Sequence, residues 1–474
     1  MYSLDDTIAA ISTPIGEGGI GIVRLTGPEA VAILHCLFVP GSRFQTSNLQ
    51  PPASDLEPRK LHYGHIVDPA TGETVDEVLA VHMPAPRTFT RQDVVEVNGH
   101  GGIVALRRIL DLCLRQGARL AEPGEFTARA FLNGRLDLAQ AEAVLDVVQA
   151  KTEASLRAAV GQLAGRLSDR VRAVRAVLVE ALAHLEASID FAEDEIPERD
   201  IGPDLEQAGA GLAQLLADAD RGIIYRQGVR AAIVGRPNVG KSSLLNRLLR
   251  TSRAIVTDIP GTTRDTLEET LNLQGVPVVL VDTAGIAEGT RDPVERLGVE
   301  RSRQALARAD LALLVVDASQ PLTDADRSIA ALVGDRPAIV ILNKVDLLDS
   351  VEVGSWKSEV RNWLLDIDHW SFTPVSALTG QGLDALEEAI VETVFSGQVT
   401  ATETPAVTSP RHKEALNRAL EHVQAADAAH RDGVLADLVA IDLAAAVAAL
   451  GEITGQTASE DLVETIFSKF CVGK

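Results

Sequence analysis

Apolar residues recur at Leu156, Val160, Leu163, Leu167, Val171, Val174, Leu178, Leu182, Leu185 and Ile189, in steps of four, three and four. An eleven-residue period holds an apolar seam on one side of a nearly straight α-helix, so this stretch predicts one long rod, not a left-handed coiled coil. The acidic run and proline within Phe191–Pro197 stop it. A second helical stretch is expected over 203–220, and helices resume from Lys413 to Lys474 after a Thr- and Pro-rich linker over 398–410. The first 130 residues carry a different period. Thr7–Ser12, Gly19–Leu25, Glu77–Met83 and Asp93–Val97 alternate as paired strands do, with helices over 28–37 and 102–116. Between the helical stretches lie short, mostly apolar runs, Val229–Val234, Val278–Val281 and Ala338–Leu342, which read as buried strands of an open α/β sheet.

Length and charge narrow this picture. The 474 residues exceed one core and suggest roughly three domains. A net charge of -23 is wrong for a bare polyanion binder, so any nucleic-acid contact is expected to be local or shared with a partner. Cys36, Cys113 and Cys471 are far apart, which favours a reducing compartment and no structural zinc. The N-terminus has no basic leader, and the Ala-rich stretch 435–450 carries Asp437 and Asp442, so it reads as a buried helix rather than a membrane span. A soluble, cytoplasmic protein with no membrane partner is expected.

The strand ends carry the chemistry. Gly235-Arg236-Pro237-Asn238-Val239-Gly240-Lys241-Ser242 fits GxxxxGK[ST] between a strand and a helix expected over Ser243–Leu249, the context in which backbone NH groups and a helix dipole converge on phosphate. Lys241 would neutralise the β and γ phosphates and Ser242 would ligate Mg²⁺. Asp282-Thr283-Ala284-Gly285 follows the next strand, where Asp282 can hold Mg²⁺ through water and the Gly285 NH can sense the γ-phosphate. Asn343-Lys344-Val345-Asp346 follows another; Asp346 can accept from N1-H and the 2-amino group of guanine, and adenine would leave that carboxylate unpaired. Val375-Ser376-Ala377 would offer NH groups to guanine O6. These segments in this order point to GTP. The loop Thr257-Asp258-Ile259-Pro260-Gly261-Thr262-Thr263 is expected to order around the metal, with Thr263 completing the Mg²⁺ shell. Ile286 stands where many small GTPases carry a water-orienting glutamine, so catalytic help must come from elsewhere. Gly99-His100-Gly101-Gly102 is open between an anion-binding helix start and a tight turn.

Together with these motifs, Pro123-Gly124-Glu125-Phe126-Thr127-Ala128-Arg129-Ala130-Phe131-Leu132-Asn133-Gly134 and the terminus Phe470-Cys471-Val472-Gly473-Lys474 resemble, from end to end, the MnmE (TrmE) family of tRNA modification GTPases. The resemblance implies a multidomain fold. Its parts would be an α+β tetrahydrofolate-binding and dimerisation domain over 1–130, an α-helical domain in two parts, 131–225 and 399–474, and an inserted α/β P-loop GTPase domain of Ras-like type over 226–398. It implies a homodimer acting with the FAD-containing MnmG (GidA) flavoprotein, in a heterotetramer or larger assembly, on C5 of wobble uridine in certain tRNAs. The added group is aminomethyl or carboxymethylaminomethyl, and 5,10-methylene- or 5-formyl-tetrahydrofolate supplies the one-carbon unit.

The same resemblance makes GTP hydrolysis K⁺-activated, with Asn238, Thr257, Ile259 and Thr262 as K⁺ ligands and Glu295 orienting the attacking water. The nucleotide contacts it implies run from Asn238 to Ser243 (Val239, Gly240, Lys241, Ser242), from Thr257 to Thr263 (Asp258, Ile259, Pro260, Gly261, Thr262) and from Asp282 to Gly285 (Thr283, Ala284), and include Asn343, Lys344, Asp346, Ser376 and Ala377. Folate would meet Arg24, Glu96, Arg135 and Lys474. Position 135 is arginine where some members have lysine, which changes donor geometry, and Ala287 stands where some carry arginine. Cys471 would act near the folate as nucleophile or acid, with a packing role as the alternative. Two rival classes share the GTPase motifs: an Era- or Der-like ribosome-assembly GTPase, which would carry a KH-type module not visible here, and a purely regulatory GTP switch.

Overall fold

The computed structural model describes residues 4–41, 56–190, 199–252, 269–281, 302–349, 356, 370–395 and 405–474. The chain falls into two compact units, one made of residues 1–145, 162–212 and 415–474, the other of 146–161 and 213–414.

The first unit joins a sheet to a helical layer. Among the described residues seven strands, β1 (Ile8–Ile11), β2 (Gly21–Thr26), β3 (Phe38–Pro40), β4 (His62–Val67), β5 (Thr74–Met83), β6 (Val94–Gly99) and β7 (Arg119–Leu120), lie in the order β3-β4-β5-β6-β2-β1-β7. Neighbours are antiparallel except β1 and β7. Alternation sends Val23, Leu25, Val95 and Val97 to one face, where they pack with Ile33 and Leu34 of helix Ala30–Leu37 and Ile109 and Leu112 of helix Ile103–Arg115. Residues one step away in register, Arg24 opposite Glu96, project to the other face. Helix Arg166–Asp190 packs on helix Ala436–Thr454. Ala128, Leu138 and Ala141 form a separate core with Ile466, Phe467 and Phe470, which docks the C-terminal helix Glu460–Phe467 beside helix Glu125–Leu132.

The predicted rod is not one helix. It is two, Glu153–Leu163 and Arg166–Asp190, separated at Gly165, whose φ of 92° lies where an α-helix cannot continue. The Gly165 NH closes a turn on the Gln162 carbonyl at 2.9 Å and its carbonyl accepts the Asp169 NH at 2.8 Å, so one glycine ends one helix and starts the next. Likewise the helix expected over 203–220 is two, Gly202–Ala217 and Ala219–Gln227. The Gly99–Gly102 turn is filled by the chain itself. The His100 NH donates to Asp76 Oδ2 at 2.8 Å and its Nδ1 lies 2.7 Å from Oδ1, a contact that raises the imidazole pKa.

In the second unit, six described strands, β8 (Val229–Val234), β9 (Glu269–Leu273), β10 (Val276–Val281), β11 (Leu311–Asp317), β12 (Ala338–Asn343) and β13 (Ser371–Pro374), lie in the order β13-β12-β11-β8-β10-β9. All neighbours are parallel except the hairpin β9–β10. Separate apolar clusters cover the two faces, which is why β8, β10, β11 and β12 are apolar on both faces along nearly all their length. Val375-Ser376-Ala377, expected on a strand, follows the end of β13. Among the described residues no helix is long and apolar enough to cross a membrane.

Candidate functional site

The P-loop is built at the C-terminal end of β8, inside the sheet. Gly235 has φ 151°, and a Cβ there would lie 2.4 Å from the Val315 carbonyl oxygen. Gly240 has φ 100°, and its Cβ would lie 2.2 Å from Asn343 Nδ2. Only glycine fits at either place. Asn238 is exposed and left-handed, φ 65°, a conformation asparagine tolerates. Helix Lys241–Ser252 then begins with its N-terminal dipole directed back at the loop. Lys241 Nζ donates to the carbonyls of Gly235 (2.6 Å) and Arg236 (2.8 Å), and burial pulls its pKa down to about 8. Ser242 is half-buried in the first helical turn and Ser243 is exposed. The hydroxyl of Ser242 is a hard oxygen donor of the kind Mg²⁺ takes.

Asn343, the last residue of β12, is the hub. Its Nδ2 donates to the Val239 carbonyl at 2.7 Å and its Oδ1 accepts the Ala377 NH at 3.0 Å, so one buried amide fastens the P-loop, β12 and the 375–377 loop together. Lys344 is left-handed, φ 67°, and its Nζ meets Asp317 Oδ2 at 2.5 Å. Asp317 ends β11 opposite Asn343 and also accepts from the NH (3.0 Å) and Oγ (2.6 Å) of Ser319. Burial raises the pKa of this carboxyl, but its bonds to Lys344 and Ser319 more than reverse that and leave it lowered. Asp346 is exposed in the turn Val345–Leu347. The NH groups of Val375, Ser376 and Ala377 donate to the Leu342 carbonyl, the Gln381 carbonyl and Asn343 Oδ1, so a base oxygen here would compete with Asn343 for the Ala377 NH. Asp317 was not singled out from sequence, although a carboxylate closing an unbroken apolar strand was the available signal.

Thr257, Asp258, Ile259, Pro260, Gly261, Thr262, Thr263, Asp282, Thr283, Ala284, Gly285 and Glu295 lie outside the described residues.

A second cluster sits in the first unit. Arg24 Nε donates to Glu96 Oε1 at 2.8 Å across β2 and β6, and its Nη1 lies 3.5 Å from the Gly473 carbonyl. The tail is held by a bridge between Pro123 and Val472 and by the Gly124 NH and the Lys474 NH, both 3.3 Å from the Cys471 carbonyl. Gly473 has φ 92°, and a Cβ there would lie 2.6 Å from the Ile11 carbonyl oxygen. Arg24, Glu96 and the backbone of the terminal segment are thus brought together, with Cys471 exposed and Lys474 partly so. Arg135 is exposed and stacks 4.9 Å from the centre of the Phe89 ring. Glu125 and Arg129, within the 123–134 segment, are fully buried and do structural work. Arg129 Nη2 meets Asp6 Oδ1 (2.5 Å) and Glu125 Oε1 (3.0 Å), while Arg119 meets Asp6 Oδ2 (2.8 Å) and Glu125 Oε1 (2.7 Å).

Family models match both arms of this arrangement: a GTP-binding protein TrmE N-terminus over residues 7–135 and an MnmE helical domain over 138–471. The chain belongs to the MnmE family. It is 52% identical over 480 residues to the tRNA modification GTPase MnmE of Roseiflexus castenholzii, covering 100% of both chains. It is 50% identical to that of Chloroflexus aurantiacus over 99% of this chain and 100% of the relative, and 46% identical to that of Desulforamulus reducens over the same shares. It is a multidomain GTPase of tRNA modification, with an N-terminal TrmE domain, a helical domain and a P-loop GTPase domain.

Proposed function

We propose that this MnmE-family chain hydrolyses GTP with Mg²⁺ and an activating K⁺. As a cytoplasmic homodimer working with an MnmG (GidA) type flavoprotein, it adds an aminomethyl or carboxymethylaminomethyl group at C5 of the wobble uridine of certain tRNAs. The observation that carries this reading is the return of the C-terminal tail to the Arg24–Glu96 pair. A carboxylate such as Glu96 suits the amino-pyrimidine edge of a pterin, and Arg24 and Lys474 suit its carboxylates or ring oxygens. Arg135 would be a further cation for that ligand. When bound, the tetrahydrofolate supplies the one-carbon unit. Cys471, exposed at the same place, offers a thiol for nucleophilic or acid work on the uridine.

On the GTPase side, Lys241 would leave its two carbonyls for phosphate oxygens, Ser242 and Thr263 would present hydroxyls to Mg²⁺, and Glu295 would orient water. The amide oxygen of Asn238 stands on the exposed loop where a monovalent cation would share it with Thr257, Ile259 and Thr262. Positive charge there would stabilise the β–γ bridge as it becomes negative, the role an arginine plays elsewhere. Asp346, Lys344 and the loop of Ser376 and Ala377 would read guanine.

Mass analysis of wobble nucleosides from cells lacking this protein tests the reading. The modified uridine is expected to vanish, and GTP turnover is expected to be much faster in K⁺ than in Na⁺. Cys471→Ser should abolish the modification and leave turnover intact. Unchanged anticodon nucleosides in the deletion would sink the proposal.

A further inference from the structure

We propose that the loop 84–92, with the arginines around it, is the surface that receives the sugar-phosphate backbone of the substrate RNA's single-stranded loop. The inference rests on the tRNA-modification reading and adds the place where the RNA lies.

The charge is local and, among the described residues, outside any ion pair. Arg59 donates to the carbonyls of Arg87 (3.0 Å) and Pro84 (3.1 Å), and Arg91 Nη1 donates to the Asn133 carbonyl (2.9 Å). Arg135 stacks on Phe89, and Arg87 is exposed beside them. These contacts fix the guanidinium groups of Arg59, Arg91 and Arg135 without neutralising them, and among the described residues none of the four arginines is paired with a carboxylate. Of the acids close by, Asp93 Oδ1 accepts the Ala85 NH at 2.8 Å and Glu57 pairs with Lys60 at 2.5 Å, so neither is bonded to these arginines. In a chain of net charge -23 such a patch is a departure that needs a cause.

The backbone sharpens the point. Arg59 and Arg91 both hold left-handed conformations, φ 65° and 59°. Each costs an L-residue about 1 kcal/mol that glycine would not incur, so local folding argues against arginine at both places. The loop is also rigid. Thr88 Oγ1 donates to the Gln92 carbonyl (2.6 Å), Asn133 Nδ2 to the Thr90 carbonyl (2.7 Å), and buried Arg129 to Gln92 Oε1 (3.1 Å). Preorganised donors lose little entropy on binding phosphate.

The patch is continuous with the tail cluster. Phe89 packs against the core that contains Phe126, and Arg24 lies 5.9 Å from the centre of the Phe126 ring. Arg135 over the Phe89 ring adds the kind of cation and aromatic surface on which unstacked RNA bases settle. Backbone held along Arg59, Arg87 and Arg91 would thus present a splayed nucleotide beside Arg24 and Cys471.

The test uses the full-length protein and a fluorescently labelled anticodon stem-loop RNA, followed by anisotropy over a salt series. The double variant Arg59→Gly, Arg91→Gly relieves two left-handed strains and gives up three exposed bonds to the carbonyls of Arg87, Pro84 and Asn133, effects that offset, so its melting temperature is expected to stay close to wild type and GTP turnover to stay unchanged. Its RNA affinity should fall about tenfold, and the slope of log affinity against log salt should flatten by about 1.4, two phosphate contacts of a single strand. Arg87→Glu should weaken binding further. Unchanged affinity and slope overturn the proposal, as does failure of the wild-type chain to retain the RNA. Intact RNA binding with modification lost would assign the patch to an acidic protein partner and also overturn it. Wobble nucleosides of the deletion strain judge the tRNA-modification reading independently, so the two failures are distinguishable.

Discussion

Lys241 shows how one residue carries both order and responsiveness. Its ammonium is buried against two carbonyls, and burial lowers its pKa to about 8. Phosphate would favour the charged form and raise that value again, so nucleotide binding takes up a proton once pH exceeds about 8. The lysine is charged below that pH and affinity is then complete; above it each unit costs about a factor of ten. GTP affinity is expected to be about tenfold weaker at pH 9 than at pH 7, and fluorescent-nucleotide titration would show it; a flat profile would refute the assignment. The buried knot of Glu125 and Arg129 is the second residue-scale case. Glu125→Gln leaves Arg129 short of a counter-charge in the interior, which should cost about 3 kcal/mol, read as lost hydrogen-exchange protection in β1 and helix Glu125–Leu132. Burial raises the Asp6 carboxyl and the bonds from Arg119 and Arg129 more than reverse it, so its pKa lies below the ordinary range. Its contribution is therefore present above about pH 4 and is lost as pH falls through the lowered value. The P-loop and Asn343 were legible in the sequence because each motif is contiguous and sits at the end of an apolar run. The knot was not, since Arg129 meets a partner 123 residues away.

At the scale of elements, periodicity reported which face is apolar but not where a helix stops. The four-three-four spacing runs unbroken across Gly165, yet Leu156 and Val160 remain exposed. A stripe counts side chains and cannot register a single change of φ. β9 was missed for a related reason: Thr270 and Asn272 interrupt its apolar pattern, and only its turn, Gln274-Gly275 with φ 50° and 92°, marks the hairpin. The helix break is testable. Gly165→Ala should destabilise by about 1 kcal/mol or more, because alanine disfavours φ 92° and its Cβ would lie 3.3 Å from Gln140 Nε2, the donor to the Leu163 carbonyl. Gly165→Asn should cost less, since asparagine visits that region more readily. Equal thermal midpoints for wild type and the alanine variant would show that the break does not depend on glycine.

At the scale of the whole molecule, the chain crosses between its two units at 145–146, 161–162, 212–213 and 414–415. Segment 146–161 therefore belongs to the unit of the P-loop while both its ends continue into the unit of the tail cluster. It grips the β9–β10 hairpin. Thr152 Oγ1 donates to the Gly275 carbonyl (2.8 Å) and Lys151 Nζ lies 3.3 Å from Thr270 Oγ1, while Ser155 Oγ ties the segment to helix Ala219–Gln227 through the Tyr225 carbonyl (2.6 Å). Gly275 is closely approached by this segment, since a Cβ there would lie 3.0 Å from that of Ala154. In the chain this hairpin stands between 257–265 and 282–285, the segments expected from sequence to meet the metal and the γ-phosphate. A hairpin displaced by the state of the nucleotide would pull on 146–161, and covalent continuity would pass that pull to residues 145 and 162. Removing the grip should thus separate two activities that normally run together. Thr152→Val with Ser155→Ala is expected to leave phosphate release within about twofold of wild type and to lower wobble-uridine modification about tenfold, a coupling on the order of 1.4 kcal/mol. Parallel measurement of released phosphate and modified nucleoside decides it: if modification keeps pace with turnover in the double variant, the transmission runs through another of the four crossings.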